Sequence, residues 1–243
     1  MTHRMHLADF TTLSFDCYGT LIDWETGIWS ALQPLVAGSA VGRAEALAAF
    51  ADLESSQQRT TPSMGYRQVL ERVHHGLAAR FGLETAPSFD KAFGGSVGAW
   101  PAFPDSVEAL RALSQHYRLV ILSNVDKASL AASRQRLGVA FDAEYTAEEI
   151  GSYKPDPANF HHMLERLMAD HGVEPGALLH VAQSQFHDHV PAQRLGLATA
   201  WIDRQHLSGG GSWGATVPVD LRPDVDFTFL SLAELAEAAT RHR

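Results

Sequence analysis

The sequence predicts an α/β fold in which an all-helical cap subdomain is inserted after the first strand of a parallel sheet. Three observations predict it. An apolar run at residues 10–16 predicts a buried strand, residues 24–98 show helical patterns and no convincing strand, and from residue 118 strands and helices alternate. We therefore expect residues 1–23 and 99–243 to form the core domain and residues 24–98 to form the cap. A chain of 243 residues is long enough for both.

The inserted segment shows four helical patterns. The clearest covers residues 66–81, where apolar side chains recur at the spacing of one helix face. The others cover residues 26–36, 43–58 and, more weakly, 88–97. A rigid Pro-containing stretch, residues 100–104, then ends the segment and predicts the return of the chain to the core.

The second part of the chain predicts a Rossmann-like core. The predicted strands cover residues 118–123, 143–146, 178–182, 198–202 and 225–229, and the predicted helices cover residues 106–115, 127–137, 157–171, 190–195 and 231–241. In such sheets a ligand binds at the carboxyl ends of the strands. Asp16, Ser123 and the segment after Ala182 all follow predicted strands, so we expect the functional site where they meet.

Composition limits the classes of partner. The net charge of −9 argues against a nucleic-acid partner or an anionic membrane surface, and no apolar run is long enough to span a bilayer. Cys17 is the single cysteine, which excludes an intramolecular disulfide and suits a reducing cytoplasm. We expect a cytoplasmic protein with a small-molecule partner, and the sequence leaves a homodimer open.

The segment from Phe15 to Ile22 suggests a carboxylate nucleophile. Asp16 ends the first predicted strand, and Gly19-Thr20 forms a tight turn directly after it. The strand fixes the backbone while the turn exposes the side chain at the sheet edge. An aspartate that merely caps a turn is the structural alternative.

Three later segments accompany this one: residues 121–124 (Ile-Leu-Ser-Asn), residues 152–156 (Ser-Tyr-Lys-Pro-Asp) and residues 181–188, which end in His187-Asp188. In this order and spacing, the four segments resemble the motifs of the haloacid dehalogenase superfamily. The resemblance covers nearly the whole chain. In the phosphatases of that superfamily a second aspartate, two residues after the nucleophile, is the general acid. Here that position is Tyr18, so the resemblance points to the branch that hydrolyses carbon–halogen bonds, the type II L-2-haloacid dehalogenases.

The resemblance implies roles for the polar residues of the four motifs. Lys154 would pair with the nucleophile, and Asp188 would position or activate the water that hydrolyses the ester. Ser123 would receive the substrate carboxylate, with Asn124 beside it, and Thr20 would hold the rotamer of Asp16. Further candidates for substrate contact are Cys17 and Tyr18, through backbone N–H groups that would stabilise an oxyanion, and Gln183, Ser184 and His187.

The sequence departs from the family at three points. In the family, an arginine of the cap holds the departing halide; the matching position here lies near Ala51, which has no charge. One residue is inserted before Asp188, and Phe160 stands where the family has a tyrosine after the third motif. The leading hypothesis is a hydrolase resembling (S)-2-haloacid dehalogenase, with no cofactor. The alternatives are the same chemistry with another leaving group, such as the ring nitrogen of a strained cyclic amino acid; a magnesium-dependent phosphatase with His187 as a substitute acid; and a non-catalytic carboxylate-binding protein.

Two further predictions concern polar residues outside the motifs. Glu54 and Gln58 share one face of the second cap helix, which predicts a solvated face. Apart from His187, the histidines are expected at the surface rather than in a metal site, because neighbouring histidines on a helix diverge by roughly 100°.

Overall fold

Six parallel strands form the sheet in the computed structural model, which describes residues 5–211, 215 and 217–241. Across these residues the strand order is β3-β2-β1-β4-β5-β6. The bounds are β1 Thr12–Phe15, β2 Arg118–Ser123, β3 Ala143–Thr146, β4 Leu178–Ala182, β5 Ala198–Ile202 and β6 Phe227–Phe229. The prediction of an α/β fold with a parallel sheet is confirmed. β1 is shorter than predicted because its pairing with β2 and β4 begins only at Thr12.

The helices lie close to their predicted positions. Those before β2 are α1 Trp24–Val36, α2 Arg43–Thr60, α3 Tyr66–Phe81, α4 Pro87–Gly94 and α5 Ser106–Leu113, and those after it are α6 Lys127–Leu137, α7 Ala147–Ile150, α8 Ala158–His171, α9 Val190–Arg194 and α10 Leu232–Arg241. The predicted helix at 88–97 is α4 followed by a separate 3₁₀ turn, Ser96–Ala99. None of these helices is long and apolar enough to cross a membrane.

The sheet is buried on both faces. Along β2, Leu119 and Ile121 belong to one apolar cluster while Val120 and Leu122 belong to another, as the two-residue period of a strand requires. Side chains of α5, α6 and α10 join the first cluster, and side chains of α8 and α9 join the second. A strand buried on both faces holds its carboxyl end rigidly, which suits a site built there.

Residues 24–98, all described, contribute α1–α4 and no strand. The outgoing and returning chain segments lie side by side, since Asp23 N–H donates to Pro101 O at 2.8 Å and Phe103 N–H donates to Leu21 O at 3.0 Å. The buried indole of Trp100 packs beside this crossing. That residues 24–98 behave as a separate subdomain stays a prediction.

Candidate active site

Asp16 lies one residue beyond β1, in the middle of the sheet. Its backbone N–H donates to Val181 O at 3.0 Å, which extends the pairing with β4 and fixes the main chain. The turn behind it needs glycine, because Gly19 has φ +99° and a Cβ there would lie 3.1 Å from the Gln183 amide oxygen. Thr20 Oγ1 donates to Asp16 Oδ2 at 2.8 Å and accepts the Gln183 N–H at 2.9 Å. The turn thus fixes both the backbone and the rotamer of the carboxylate.

Lys154 joins two carboxylates beneath the sheet edge. Its ammonium Nζ lies 2.9 Å from Asp16 Oδ1 and 2.6 Å from Asp188 Oδ1, and it also donates to Leu122 O at 3.0 Å. Asn124 holds the lysine backbone from both sides: its amide donates to Lys154 O at 3.0 Å, and its oxygen accepts Lys154 N–H at 2.7 Å. One buried cation therefore orients both acids.

A buried histidine on β4 supports Asp188. His180 Nε2 lies 3.0 Å from Asp188 Oδ1, and Nδ1 lies 2.8 Å from Ser14 Oγ on β1. The Phe160 ring packs edge-on against the imidazole, with 5.0 Å between ring centroids. The sequence analysis did not identify His180; the available signal is a polar residue in the middle of an otherwise apolar strand. This arrangement fixes one oxygen of Asp188, and the other, Oδ2, has no hydrogen-bond partner among the described residues.

The segment that carries Asp188 is a π-helical turn, Gln185–His189. His189 N–H donates to Ser184 O five residues back, at 3.4 Å, and the Ser184 side chain accepts the His187 N–H at 3.1 Å. A π turn accommodates a single inserted residue within a helix. It gives a physical reason why an extra residue before Asp188 leaves the carboxylate in reach of Lys154.

A small cavity opens above Asp16, between the sheet edge and the inserted helices. Its volume is about 90 Å³, smaller than the cavity of about 150 Å³ that holds benzene in an engineered protein. The residues singled out by sequence that line it are Asp16, Tyr18, Asn124, Lys154, Gln183, Ser184, His187 and Asp188. Cys17, Thr20 and Ser123 are buried and do not line it, and the Ser123 hydroxyl has no hydrogen-bond partner in the described chain.

The inserted helices supply cavity residues that the sequence analysis missed. Glu54 and Gln58 of α2 line the cavity together with Tyr66 of α3, and so does Ala51, which the sequence analysis had named as the position nearest the expected cap arginine. The predicted solvated face is wrong: Gln58 is only 8% exposed, and half-buried Glu54 accepts a 2.7 Å hydrogen bond from the Tyr66 hydroxyl. The missed signal is spacing, because both residues continue the helix face of buried Phe50. Burial raises the pKa of the Glu54 carboxyl to about 7.

The two aspartates of the cluster differ in acidity. Burial raises the pKa of Asp16, and the nearby charge of Asp188 adds to this, while Lys154 opposes it. Burial also acts to raise the pKa of Asp188, but Lys154 and the hydrogen bond from His180 outweigh it and hold that pKa well below its usual range. Burial acts to lower the pKa of Lys154, but the two carboxylates outweigh it and raise that pKa. Asp16 is thus the more basic carboxylate of the two.

Besides this cluster and Glu54, the titratable groups at the cavity are neutral near pH 7: Tyr18, Tyr66 and His187. Burial lowers the pKa of His187 to about 4 and raises the pKa of the Tyr18 phenol. The Tyr18 hydroxyl bonds with Ser133 Oγ at 2.8 Å, on α6. The prediction that the histidines other than His187 lie at the surface is wrong for three of them. Apolar packing encloses these side chains, which are His74, His180 and His189.

The site offers a poor set of ligands for magnesium. Mg²⁺ prefers six oxygen ligands at roughly 2.0–2.1 Å. The ammonium of Lys154 occupies the space between the two carboxylates. No group of three or more histidine, cysteine, aspartate or glutamate side chains in the described part of the chain could hold a metal ion. The residues present do not fit this ion.

The parallel sheet and the buried Asp16–Lys154–Asp188 cluster at its carboxyl edge are features of a hydrolase of the α/β class. The model of the haloacid dehalogenase-like hydrolase family matches residues 10–182, and the chain belongs to this family of hydrolases. The resemblance inferred from the four motifs is confirmed.

Similar proteins share the fold across almost the whole chain. (S)-2-haloacid dehalogenase 4A of Burkholderia cepacia is 28% identical over 199 residues, which cover 79% of this chain and 82% of that protein. The solved structure of the L-2-haloacid dehalogenase PA0810 has a TM-score of 0.78 at 22% identity and covers 96% of this chain and 99% of its own. The Xanthobacter autotrophicus L-2-haloacid dehalogenase, solved with chloropropionic acid covalently bound, has a TM-score of 0.76 at 20% identity and covers 95% and 98%.

Proposed function

We propose that this hydrolase resembles (S)-2-haloacid dehalogenase in its reaction. Asp16 displaces a leaving group from the α-carbon of a small carboxylic acid, and water then hydrolyses the aspartyl ester to release the 2-hydroxy acid. The observation that carries the proposal is the environment of Asp16, a buried carboxylate held by Thr20 and Lys154 at the floor of a small cavity. We further propose that the enzyme works in the cytoplasm.

The first step is attack by the Asp16 carboxylate on the α-carbon. Because Lys154 and Thr20 hold one carboxylate oxygen each, the side chain is oriented before substrate enters. The leaving group departs with the bonding electron pair, and an ester joins Asp16 to the α-carbon. The named relatives favour halide as the leaving group. The chloropropionic acid bound covalently to the Xanthobacter autotrophicus protein is an adduct of the kind this step predicts.

The second step is hydrolysis of that ester. Asp188 is ionised and is held by Lys154 and His180 through Oδ1 alone, so Oδ2 is available to orient a water molecule. Attack at the ester carbonyl develops an oxyanion, which we assign to the backbone N–H groups of Cys17 and Tyr18. The bond between the Asp16 carbonyl carbon and the ester oxygen then breaks, and that oxygen leaves as the hydroxyl of the 2-hydroxy acid with one proton of the water. The other proton goes to solvent, and the Asp16 carboxylate is restored.

The phosphatase alternative has less support. It needs an acid for an oxygen leaving group, and neutral His187, whose pKa lies at about 4, is a weak candidate near pH 7. It also needs magnesium, which the carboxylate–ammonium arrangement does not fit.

We expect hydrolysis to persist in excess EDTA, because no step of the proposed mechanism uses a metal. The test is a panel of 2-halo acids, small phosphate esters and cyclic amino acids, scored for halide, phosphate and amine release with and without EDTA. Activity that is lost in EDTA and restored by magnesium would favour a phosphatase, and saturable binding without turnover of any substrate would favour a carboxylate-binding protein.

Asp188→Asn should slow ester hydrolysis more than ester formation, because the amide cannot take a proton from water. We expect an adduct on Asp16 to accumulate and to appear as a mass increase on the peptide that carries it. Asp170→Asn is a matched control at a surface ion pair with Arg166 and should leave turnover unchanged. An Asp188→Asn protein that turns over normally would remove Asp188 from the mechanism.

A further inference from the structure

The wall of the cavity formed by α2 carries an acid one helical turn from the position where the family resemblance would place a cation. The expected arginine position falls at Ala51, which lines the cavity, and Glu54 lines it from the next turn of the same helix. The Tyr66 hydroxyl holds the Glu54 carboxyl at 2.7 Å, so this acid has a defined place in the wall. The part of the cavity wall that α2 contributes is therefore acidic.

The charges around the cavity are not balanced. Lys154 is the only lysine or arginine among the described lining residues, and its ammonium is already paired with Asp16 and Asp188. Glu54 forms no ion pair with any described residue. A departing anion would meet a carboxylate here, whereas a cation would complete a pair with it.

We propose that Glu54 receives a cationic nitrogen attached to the α-carbon of the substrate, and that the bond broken by Asp16 is this carbon–nitrogen bond. The proposal rests on the covalent mechanism above and specifies its leaving group. An unstrained amine is a poor leaving group, so the substrate class is a small cyclic α-amino acid whose strained ring contains the nitrogen. A cavity of about 90 Å³ suits such a compact molecule.

The atoms and charges balance without a further reactant. Asp16 forms a carbon–oxygen bond at the α-carbon while the carbon–nitrogen bond breaks. The electron pair of the broken carbon–nitrogen bond goes to nitrogen. The ring opens to a neutral amine that stays attached to the substrate chain. Water then adds its oxygen to the ester carbonyl of Asp16, the α-carbon leaves with the ester oxygen as a hydroxyl, and the proton that water loses is taken up by the amine. Near neutral pH the ring-opening reaction thus releases no net proton, whereas halide displacement releases one.

Burial of Glu54 favours the same conclusion. The partly desolvated carboxyl has a pKa of about 7, so in the empty cavity it is only partly ionised. A bound ammonium would lower that pKa and leave the acid charged. Tyr66 keeps the carboxyl in place in both states.

Two probes that differ mainly in the nitrogen test the proposal: L-azetidine-2-carboxylate and cyclobutanecarboxylate. Their affinities are measured by calorimetry in an Asp16→Asn background, which prevents turnover and leaves Asp188, paired with Lys154, as the one acid besides Glu54 among the described lining residues. We expect the azetidine to bind at least about tenfold more tightly than the cyclobutane, as a charge-assisted hydrogen bond implies. Adding Glu54→Gln should abolish this preference. Glu45→Gln, which removes the same charge from an exposed position on α2, should preserve it.

Equal affinity for the two probes, or a preference that survives in Glu54→Gln, would overturn the assignment. Circular dichroism and thermal melting establish that each variant is folded, and Glu54→Ala provides a second variant if the glutamine protein is not. These measurements do not depend on ester formation. Failure of the covalent mechanism would instead appear as an unlabelled Asp16 after a single turnover in ¹⁸O-water, so the two failures are distinguishable.

Discussion

Replacing Asp16 with asparagine should abolish steady-state turnover, with a loss on the order of 10⁴-fold or more, as for other covalent nucleophiles. The amide is a far poorer nucleophile than the carboxylate, yet it is nearly isosteric and can still accept a hydrogen bond from Thr20 or Lys154. The variant should therefore remain folded. The comparison is kcat at saturating substrate, with Asp52→Asn as a control because that aspartate is 69% exposed on α2.

The same mechanism predicts the fate of the oxygen atoms. In a single turnover with excess enzyme in ¹⁸O-water, label should enter Asp16, and the first product should carry the unlabelled oxygen that the aspartate supplied. Direct attack by water would place the label in the product and leave Asp16 unlabelled. Mass spectrometry of the Asp16 peptide and of the product separates the two mechanisms, and label confined to the product would end the covalent proposal.

The two acids of the core site could be predicted because each comes after a strand of the sheet. Asp16 follows β1 and Asp188 follows β4, and a parallel sheet brings such positions to one edge whatever the length of the chain between them. Local sequence was therefore sufficient to propose their proximity. The alternation of strands and helices predicted the sheet for the same reason, since two-residue and 3.6-residue periods differ clearly.

The remaining residues depend on contacts that local sequence does not encode. His180 was missed because its role requires Ser14, 166 residues earlier in the chain, and Asp188 to meet across two strands. Glu54 was assigned to a solvated face because it shares that face with polar Gln58, although its spacing from buried Phe50 points inward. Its hydrogen bond with Tyr66, on another helix, and its place in the cavity wall are not encoded locally. In both cases the partners of a polar residue lie on other elements of the fold.

The acids of the core and the acid of α2 are held in different ways. The core acids, Asp16 and Asp188, share one cation, so their charges are partly compensated before substrate binds. Glu54 lies outside that arrangement and has a phenol for a partner. The core therefore carries the charge-compensated pair of acids, and α2 carries an acid without a cation among the described residues.

Lys154→Met should lower both stability and activity, because it leaves two buried carboxylates without a cation. Removing one partner of a buried ion pair costs about 3–5 kcal/mol of the free energy of unfolding. Lys154 is 2% exposed and serves two acids, so we expect a loss in that range from urea denaturation near neutral pH. Arg80→Met, which breaks an exposed ion pair with Asp52, should cost no more than about 1 kcal/mol.

The loss caused by Lys154→Met should also depend on pH, with a sign that identifies its origin. Without the ammonium, burial and mutual repulsion raise the pKa values of Asp16 and Asp188 in the folded variant. The folded variant then retains protons that its unfolded chain has lost, so its stability falls as pH rises. In the wild type the lowered pKa of Asp188 acts in the opposite direction, contributing stability that is lost only in acid.

The difference in the free energy of unfolding between the two proteins should therefore widen from about pH 5 to pH 8, and adding Asp188→Asn to Lys154→Met should recover part of it. A pH-independent loss, or no recovery in the double variant, would mean that Lys154 acts through packing alone, and would remove the ion cluster as the element that prepares Asp16 for attack.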